Sequence, residues 1–233
     1  MIAADLAPHP PRFDQVRDWI FDLDNTLYPA SSRLFELVDE RMSAYVQRLL
    51  ECDPAEARIV QKRYFREHGT TLAGLMAHHG VDPHDFLDDV HAIPLDRVAR
   101  DDRLAAALRR LPGRRFVFTN GNDAYAERVL AAIGIGDDFH GLVDIHATGY
   151  RPKPDPHGYA LLIERFGIDP ARAVLVEDMA KNLIPAKALG MATVWVNNGS
   201  EHGDHLADAG AIDLEITDVA DWLTHLLEEA HVR

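Results

Sequence analysis

The chain has 233 residues, 47% of them hydrophobic, enough for one large domain or a core domain with a modest insertion. Its formal net charge of −14 opposes non-specific nucleic-acid binding, which needs a basic footprint, but leaves a small anionic ligand possible. The single cysteine, Cys52, excludes an internal disulfide; no apolar run approaches the ~20 residues of a membrane span and residues 1–17 carry no leader pattern, so a soluble cytoplasmic protein is expected.

Taken in order, "VRDWIFDLD" is an apolar run ending in acid and reads as a buried strand. From about 31 to 111 no strand is predicted. "SSRLFELVDERMSAYVQRLL" sets Leu34, Leu37, Val38, Tyr45 and Leu49 along a helical stripe. The next helix opens with Asp53 as N-cap, Pro54 at N1 and Glu56 at N3, and stops at Gly69. "TTLAGLMAHHG" and "DPHDFLDDVHA" are two shorter helices, and "DDRLAAALRRLPG" leads back to a sheet.

Three more apolar runs follow: "RRFVFTNG", "ARAVLVED" and "MATVWVNN". Helical patterns separate them. "GLVDIHAT" reads as a short strand or an irregular connection, "AIDLEIT" as a strand near an edge, and the chain closes on a helix capped by Asp218. Strands alternating with helices predict an α/β fold with a doubly wound parallel sheet. The expected division is a core of residues 1–28 and 112–233, with a helical cap of residues 29–111 inserted after the first strand.

Ligands of such sheets bind beyond the carboxyl ends of the strands. Those ends carry Asp22 and Asp24, then Thr119 and Asn120, then Glu177 and Asp178, with Asn182 four residues on. Lys153 stands between two prolines in "YRPKPDPHGY", which stiffens its backbone. Four converging carboxylates need a cation, and an all-oxygen donor set suits Mg²⁺. Thr119, the turn amides near Asn120 and Lys153 supply donors for phosphate oxygens. Asp22 is then placed to attack phosphorus and form an aspartyl-phosphate. Asp24 is placed to protonate the leaving oxygen and later to deprotonate water.

"FDLDNTLY", "TNG", Lys153 in "RPKPDP" and "VLVEDMAKN" resemble, in order and spacing, the four motifs of the haloacid dehalogenase-like (HAD) superfamily. The wording of the first motif and of the cap is similar to its pyrimidine 5′-nucleotidase-like branch. The resemblance implies a Rossmann-like HAD core and a phosphatase with Asp22 and Asp24 as catalytic residues. It implies that Asp22, the Asp24 backbone carbonyl and Asp178 hold Mg²⁺, and that Thr119, Asn120 and Lys153 hold phosphate. In the fourth motif, Asn182 stands where many members have a second acid. Glu177 is therefore a candidate ligand, direct or water-mediated, and Asn182 a candidate for orienting Lys153 or a metal-bound water.

The expected substrate is a small phosphorylated metabolite, first a pyrimidine nucleoside 5′-monophosphate. The expected protein is a monomer or homodimer without nucleic-acid or membrane partners. A phosphomutase, a sugar-phosphate phosphatase and a non-enzymatic regulatory protein are the alternatives. Tyr28, Tyr64, Arg66, His68 and Thr71 are candidates for substrate choice. The thirteen histidines show no zinc spacing: His78 and His79 are adjacent, and His202 and His205 lie in a loop-like stretch.

Overall fold

The computed structural model describes residues 13–231. Most of the stretch read for a leader, up to residue 12, lies outside the described residues. Six strands, β1 (Asp18–Phe21), β2 (Arg114–Phe118), β3 (Gly141–Val143), β4 (Ala173–Glu177), β5 (Ala192–Val196) and β6 (Leu214–Ile216), form one sheet in the order β3-β2-β1-β4-β5-β6. Every pairing is parallel. "GLVDIHAT" is thus a strand for its first three residues only, at one edge, and "AIDLEIT" supplies the other edge.

The sheet is doubly wound because each central strand is apolar on both faces, as alternation of side chains requires. Trp19 and Phe21 of β1, Val117 of β2 and Val174 and Val176 of β4 join one core cluster. Residues of α5 (Asp102–Arg110), α6 (Asp123–Ile133) and α9 (Val219–His231) belong to it, and it continues into the helices inserted after β1. Ile20, Phe116, Phe118 and Leu175 point the other way, into a cluster with α7 (Pro156–Phe166) and α8 (Leu183–Ala188).

Between β1 and α5 the chain forms four helices: α1 (Leu34–Leu50), α2 (Pro54–His68), α3 (Thr71–His79) and α4 (Pro83–His91). Their starts follow the sequence signals. The Asp53 side chain accepts from Glu56 N–H at 2.9 Å, and Asp82 caps α4 in the same way. The stripe of α1 differs in one place: Leu34, Val38 and Val46 are buried, while Leu49 is exposed near the C-terminal end of its helix. Helix α5 lies against α9, where Arg103 pairs with Asp218 and Asp221, so it shares the helical layer of the sheet.

In this strand order the chain turns from one side of β1 to the other between β1 and β4, and their carboxyl ends border the crevice where such sheets bind ligands. Register does the rest. Phe21 is level with Val176 and Val117, which brings the residues after all three strands to one rim.

Candidate active site

Asp22 directly follows β1, and its N–H donates to the Val176 carbonyl at 2.9 Å, which sets it beside Glu177. One oxygen, Oδ1, accepts from Lys153 Nζ at 2.7 Å; the other accepts from the Thr26 hydroxyl at 3.1 Å. Lys153 reaches this point from a loop between β3 and α7. Its ammonium also donates to Glu177 Oε2 at 2.6 Å and to the Phe118 carbonyl at 2.8 Å, so all three of its N–H bonds are used. Asp22, Lys153 and Glu177 are all buried.

The electrostatics follow from that burial. Asp22 is pushed up to about 7, first by desolvation and then by the charge of Glu177, with Lys153 opposing. Asp178, also buried, is pushed well above the ordinary aspartate value by desolvation and by Glu177 and Asp22. Burial works against the Lys153 charge, but Asp22 and Glu177 outweigh it and hold the amine above the ordinary lysine value.

Ligand atoms of Asp22, Glu177 and Asp178 lie within 4.8 Å of one another. One lysine does not balance three carboxylates, and two of the three are driven toward the protonated form. The Asn182 Oδ1 is buried with no hydrogen-bond partner among the described residues. Carboxylate and amide oxygens short of positive charge are the donor set of a hard divalent cation, so these residues fit Mg²⁺. Glu177 has a second occupation: its oxygens accept from Lys153 and from the Met179 N–H at 3.1 Å.

Asp24 sits apart from that cluster, and two phenols hold it. The Tyr28 and Tyr125 hydroxyls both donate to its Oδ1, at 2.6 and 2.8 Å. Burial raises the Asp24 carboxyl above its usual range, and these two bonds pull it back. His91 of α4 stacks on Tyr125 with ring centroids 4.2 Å apart; burial pushes its imidazole down to about 4, so it is neutral there.

Thr119 follows β2, and its Oγ1 accepts from the Gly121 N–H at 2.9 Å, leaving the hydroxyl proton for another acceptor. The Asn120 side chain is turned to the Lys153 backbone. It accepts from the Lys153 N–H at 2.8 Å and donates to the Lys153 carbonyl at 3.4 Å. The structure therefore gives the Asn120 amide a positioning role on the lysine loop.

A cavity of about 750 Å³ lies over this rim. Asp22, Asp178, Lys153 and Thr119 line its floor, while Phe35, Lys62, Phe65 and Thr71 come from the helical insert. Of the five residues expected to choose the substrate, only Thr71 lines it. Tyr28 is buried because its hydroxyl belongs to Asp24. Tyr64 is buried with its hydroxyl on His79 Nε2, His68 pairs with His78, and Arg66 faces solvent. Sequence reasoning missed Thr26, which ties Asp22 to the Asp178 N–H, and Tyr125, which has no local signal of its role. A second group, Asp123, Asp144 and His146, also clusters, but the Asp144 carboxylate already accepts the N–H groups of Asp123 and Ala147.

Comparison with known proteins gives the family. The sequence pattern described as "Hydrolase: haloacid dehalogenase-like hydrolase" matches residues 19–190. The chain belongs to the haloacid dehalogenase-like hydrolases. It is similar to "Phosphate metabolism protein 8" of Saccharomyces cerevisiae, 29% identical over 196 residues, which cover 76% of this chain. It spans 60% of the length of that yeast protein. It is also similar to a phosphoglycolate phosphatase of Rhodospirillum rubrum, 25% identical over 223 residues, with 88% of this chain and 89% of the relative covered. Among solved structures, the HAD phosphatase from Thermococcus onnurineus superposes with a TM-score of 0.60 over 91% of this chain and 98% of its own, at 20% identity, which shows the shared fold. The pyrimidine nucleotidase branch expected from the motifs is not named by these relatives. No helix among the described residues is long and apolar enough to cross a membrane.

Proposed function

We propose that this HAD-like hydrolase cleaves phosphate monoesters of small metabolites in two steps, with Mg²⁺ and through an aspartyl-phosphate on Asp22. The observation that carries the reading is the buried Asp22 carboxylate, oriented by Lys153 and Thr26 at the floor of a cavity lined with further phosphate donors. Asp22, Asp178 and the Asp24 backbone carbonyl would hold the metal, with Glu177 behind them on Lys153. Bound there, Mg²⁺ keeps Asp22 ionised and offsets the charge of the phosphate.

The protein's own groups then divide the work. Asp22 Oδ attacks phosphorus, and the P–O bond to the alcohol breaks. Asp24 gives its proton to the departing oxygen. Its Oδ1 is occupied by the two tyrosines, which leaves Oδ2 for that transfer. The same oxygen then takes a proton from the water that hydrolyses the acyl phosphate. Thr119 holds a phosphoryl oxygen, Lys153, with its three N–H bonds already taken, contributes its positive charge beneath the phosphoryl group, and Asn120 keeps the lysine loop in place. Helices α1–α4 serve as the cap. A pyrimidine nucleoside 5′-monophosphate remains a candidate on size, since cavities of roughly 300–1,000 Å³ take ligands of that class.

The test is phosphate release from UMP, CMP, a sugar phosphate, 2-phosphoglycolate and an aryl phosphate, with Mg²⁺ and with EDTA. Metal-dependent release from at least one ester supports the reading. Release from none, with folded protein, sinks it. Preference for UMP and CMP would carry the nucleotidase branch with it.

The tyrosine pair gives a sharper check on Asp24. Tyr125→Phe keeps the ring and removes one bond that favours the ionised carboxylate. The limb of the kcat–pH profile that reports Asp24 is expected to move up by roughly half a unit to one unit, with kcat falling about tenfold. An unmoved limb would take the acid/base role away from Asp24.

A further inference from the structure

The cavity wall carries several cations, and nearly all are paired. Arg33 is bound to Glu36, Arg58 to Asp39, Lys62 to Asp39 and Glu201, and Lys153 to Asp22 and Glu177. Lys181 differs. It lines the same cavity at 7% exposure, yet no carboxylate or carbonyl is bonded to it among the described residues. Burial pulls the Lys181 amine below the ordinary lysine value, opposed only by the more distant charge of Glu177, whose oxygens are engaged by Lys153 and Met179. What Lys181 touches is the face of Phe65 in α2, with Nζ 4.5 Å from the ring centroid.

A buried ammonium without a counter-charge is unfavourable, and a ring face returns only a small part of that cost. Phe65 thus leaves most of the charge uncompensated. The remaining direction open to the amine is the cavity itself. Its place in the cavity also matters. Lys181 lies in the turn after β4, three residues past Asp178, but its amine reaches up to the cap helix. The phosphoryl group belongs at the floor, with Asp22, Thr119 and Lys153. A ligand that meets both Asp22 and Lys181 spans floor to cap, so Lys181 meets its far end.

We infer that Lys181 is a second anion site, and that the esters this enzyme prefers carry a carboxylate or a second phosphate besides the phosphate that meets Asp22. This rests on the phosphomonoesterase reading and narrows it. It ranks esters with a second anion ahead of nucleoside monophosphates, whose base is uncharged. Phe65 has a supporting part: it excludes water from the amine and so strengthens its bond to the anion.

The experiment uses matched pairs: 2-phosphoglycolate against ethyl phosphate, and fructose 1,6-bisphosphate against fructose 1-phosphate. The first pair isolates a carboxylate, the second a phosphate. The parent enzyme is expected to favour the member with the extra anion in at least one pair by about tenfold in kcat/KM, the size of a charge-assisted hydrogen bond. Lys181→Gln is expected to collapse that ratio about tenfold, through KM. No preference in either pair overturns the inference. So does a Lys181→Gln variant that slows both members of a pair alike, as a residue that merely docks the cap would. A binding arm separates this outcome from failure of the phosphatase reading. Calorimetric titration of Asp22→Asn protein with the same four esters needs no turnover. Adding Lys181→Gln should weaken only the preference for the second anion, and equal affinities before and after would refute the site.

Discussion

Asp22→Asn is expected to abolish phosphate release, by about ten-thousand-fold or more, while leaving the fold intact. The loss is chemical: an amide is no nucleophile toward phosphorus, and nothing else at the floor of the cavity replaces it. Stability should move the other way. Asp22 has its pKa raised from 3.8 to about 7 in the folded protein by burial and by Glu177. A group raised in this way adds stability fully below the unfolded value and loses it as pH rises through the folded one. In EDTA the parent therefore loses stability between about pH 4 and 7 that the asparagine variant does not. The variant's advantage in melting temperature should grow across that window. His91, held near 4 by burial, titrates with the opposite sign in both proteins and so drops out of the difference. Residual turnover near the parent level would refute the nucleophile. A stability difference that does not vary with pH would refute the environment assigned to it.

Lys153→Met is the second large effect. The lysine gives three hydrogen bonds in a buried site, two of them to carboxylates. Its removal leaves Asp22 and Glu177 facing each other without a counter-charge, a change that costs about 3–5 kcal/mol when one partner of a buried ion pair is lost. Urea denaturation in EDTA at neutral pH should show a loss of that order. Two recoveries are expected. Acid should restore part of the stability, because protonation of either carboxylate removes the repulsion. Mg²⁺ should restore part of it by binding the folded state. Turnover should stay low even then, since the cation replaces the charge but not the donor that orients Asp22. A methionine variant as stable as the parent in EDTA would mean that the carboxylates are not held by the lysine.

Much of this was readable in advance. Three of the four motifs fall at strand ends because a buried parallel strand is a short apolar run, and the run stops where the chain meets the crevice; Lys153 comes instead from the loop between β3 and α7. Asp22 and Glu177 are the first polar residues after such runs, with Asp24 and Asp178 close behind, so their location needed no knowledge of the fold beyond its class. Among the inserted helices, α2 and α4 announce themselves by Asp-Pro starts and α2 and α3 by glycine stops, which are local signals.

The roles of the side chains were less accessible. Tyr28 was read as facing substrate because it follows the first motif, but its hydroxyl is four residues from Asp24 and finds it first. Tyr125 is 101 residues from the carboxylate that it holds, and nothing in "NDAYAERV" distinguishes it from a core aromatic. The Asn120 side chain is turned to the Lys153 backbone, 33 residues away, a contact that no local pattern gives. Lys181 carries no local signal of its contact with Phe65.

By itself, the sequence determined the strand and helix order, the parallel sheet, the insertion after β1 and the acids at the strand ends. These depend on periodicity, capping and chain continuity, which are properties of neighbouring residues. Only the tertiary structure decided which partner each charge has. Lys153 meets Asp22 across 131 residues, and Lys181 meets Phe65 across the gap between sheet and cap. Such pairings are set by strand register and by how the inserted helices lie on the sheet, and no local pattern encodes either.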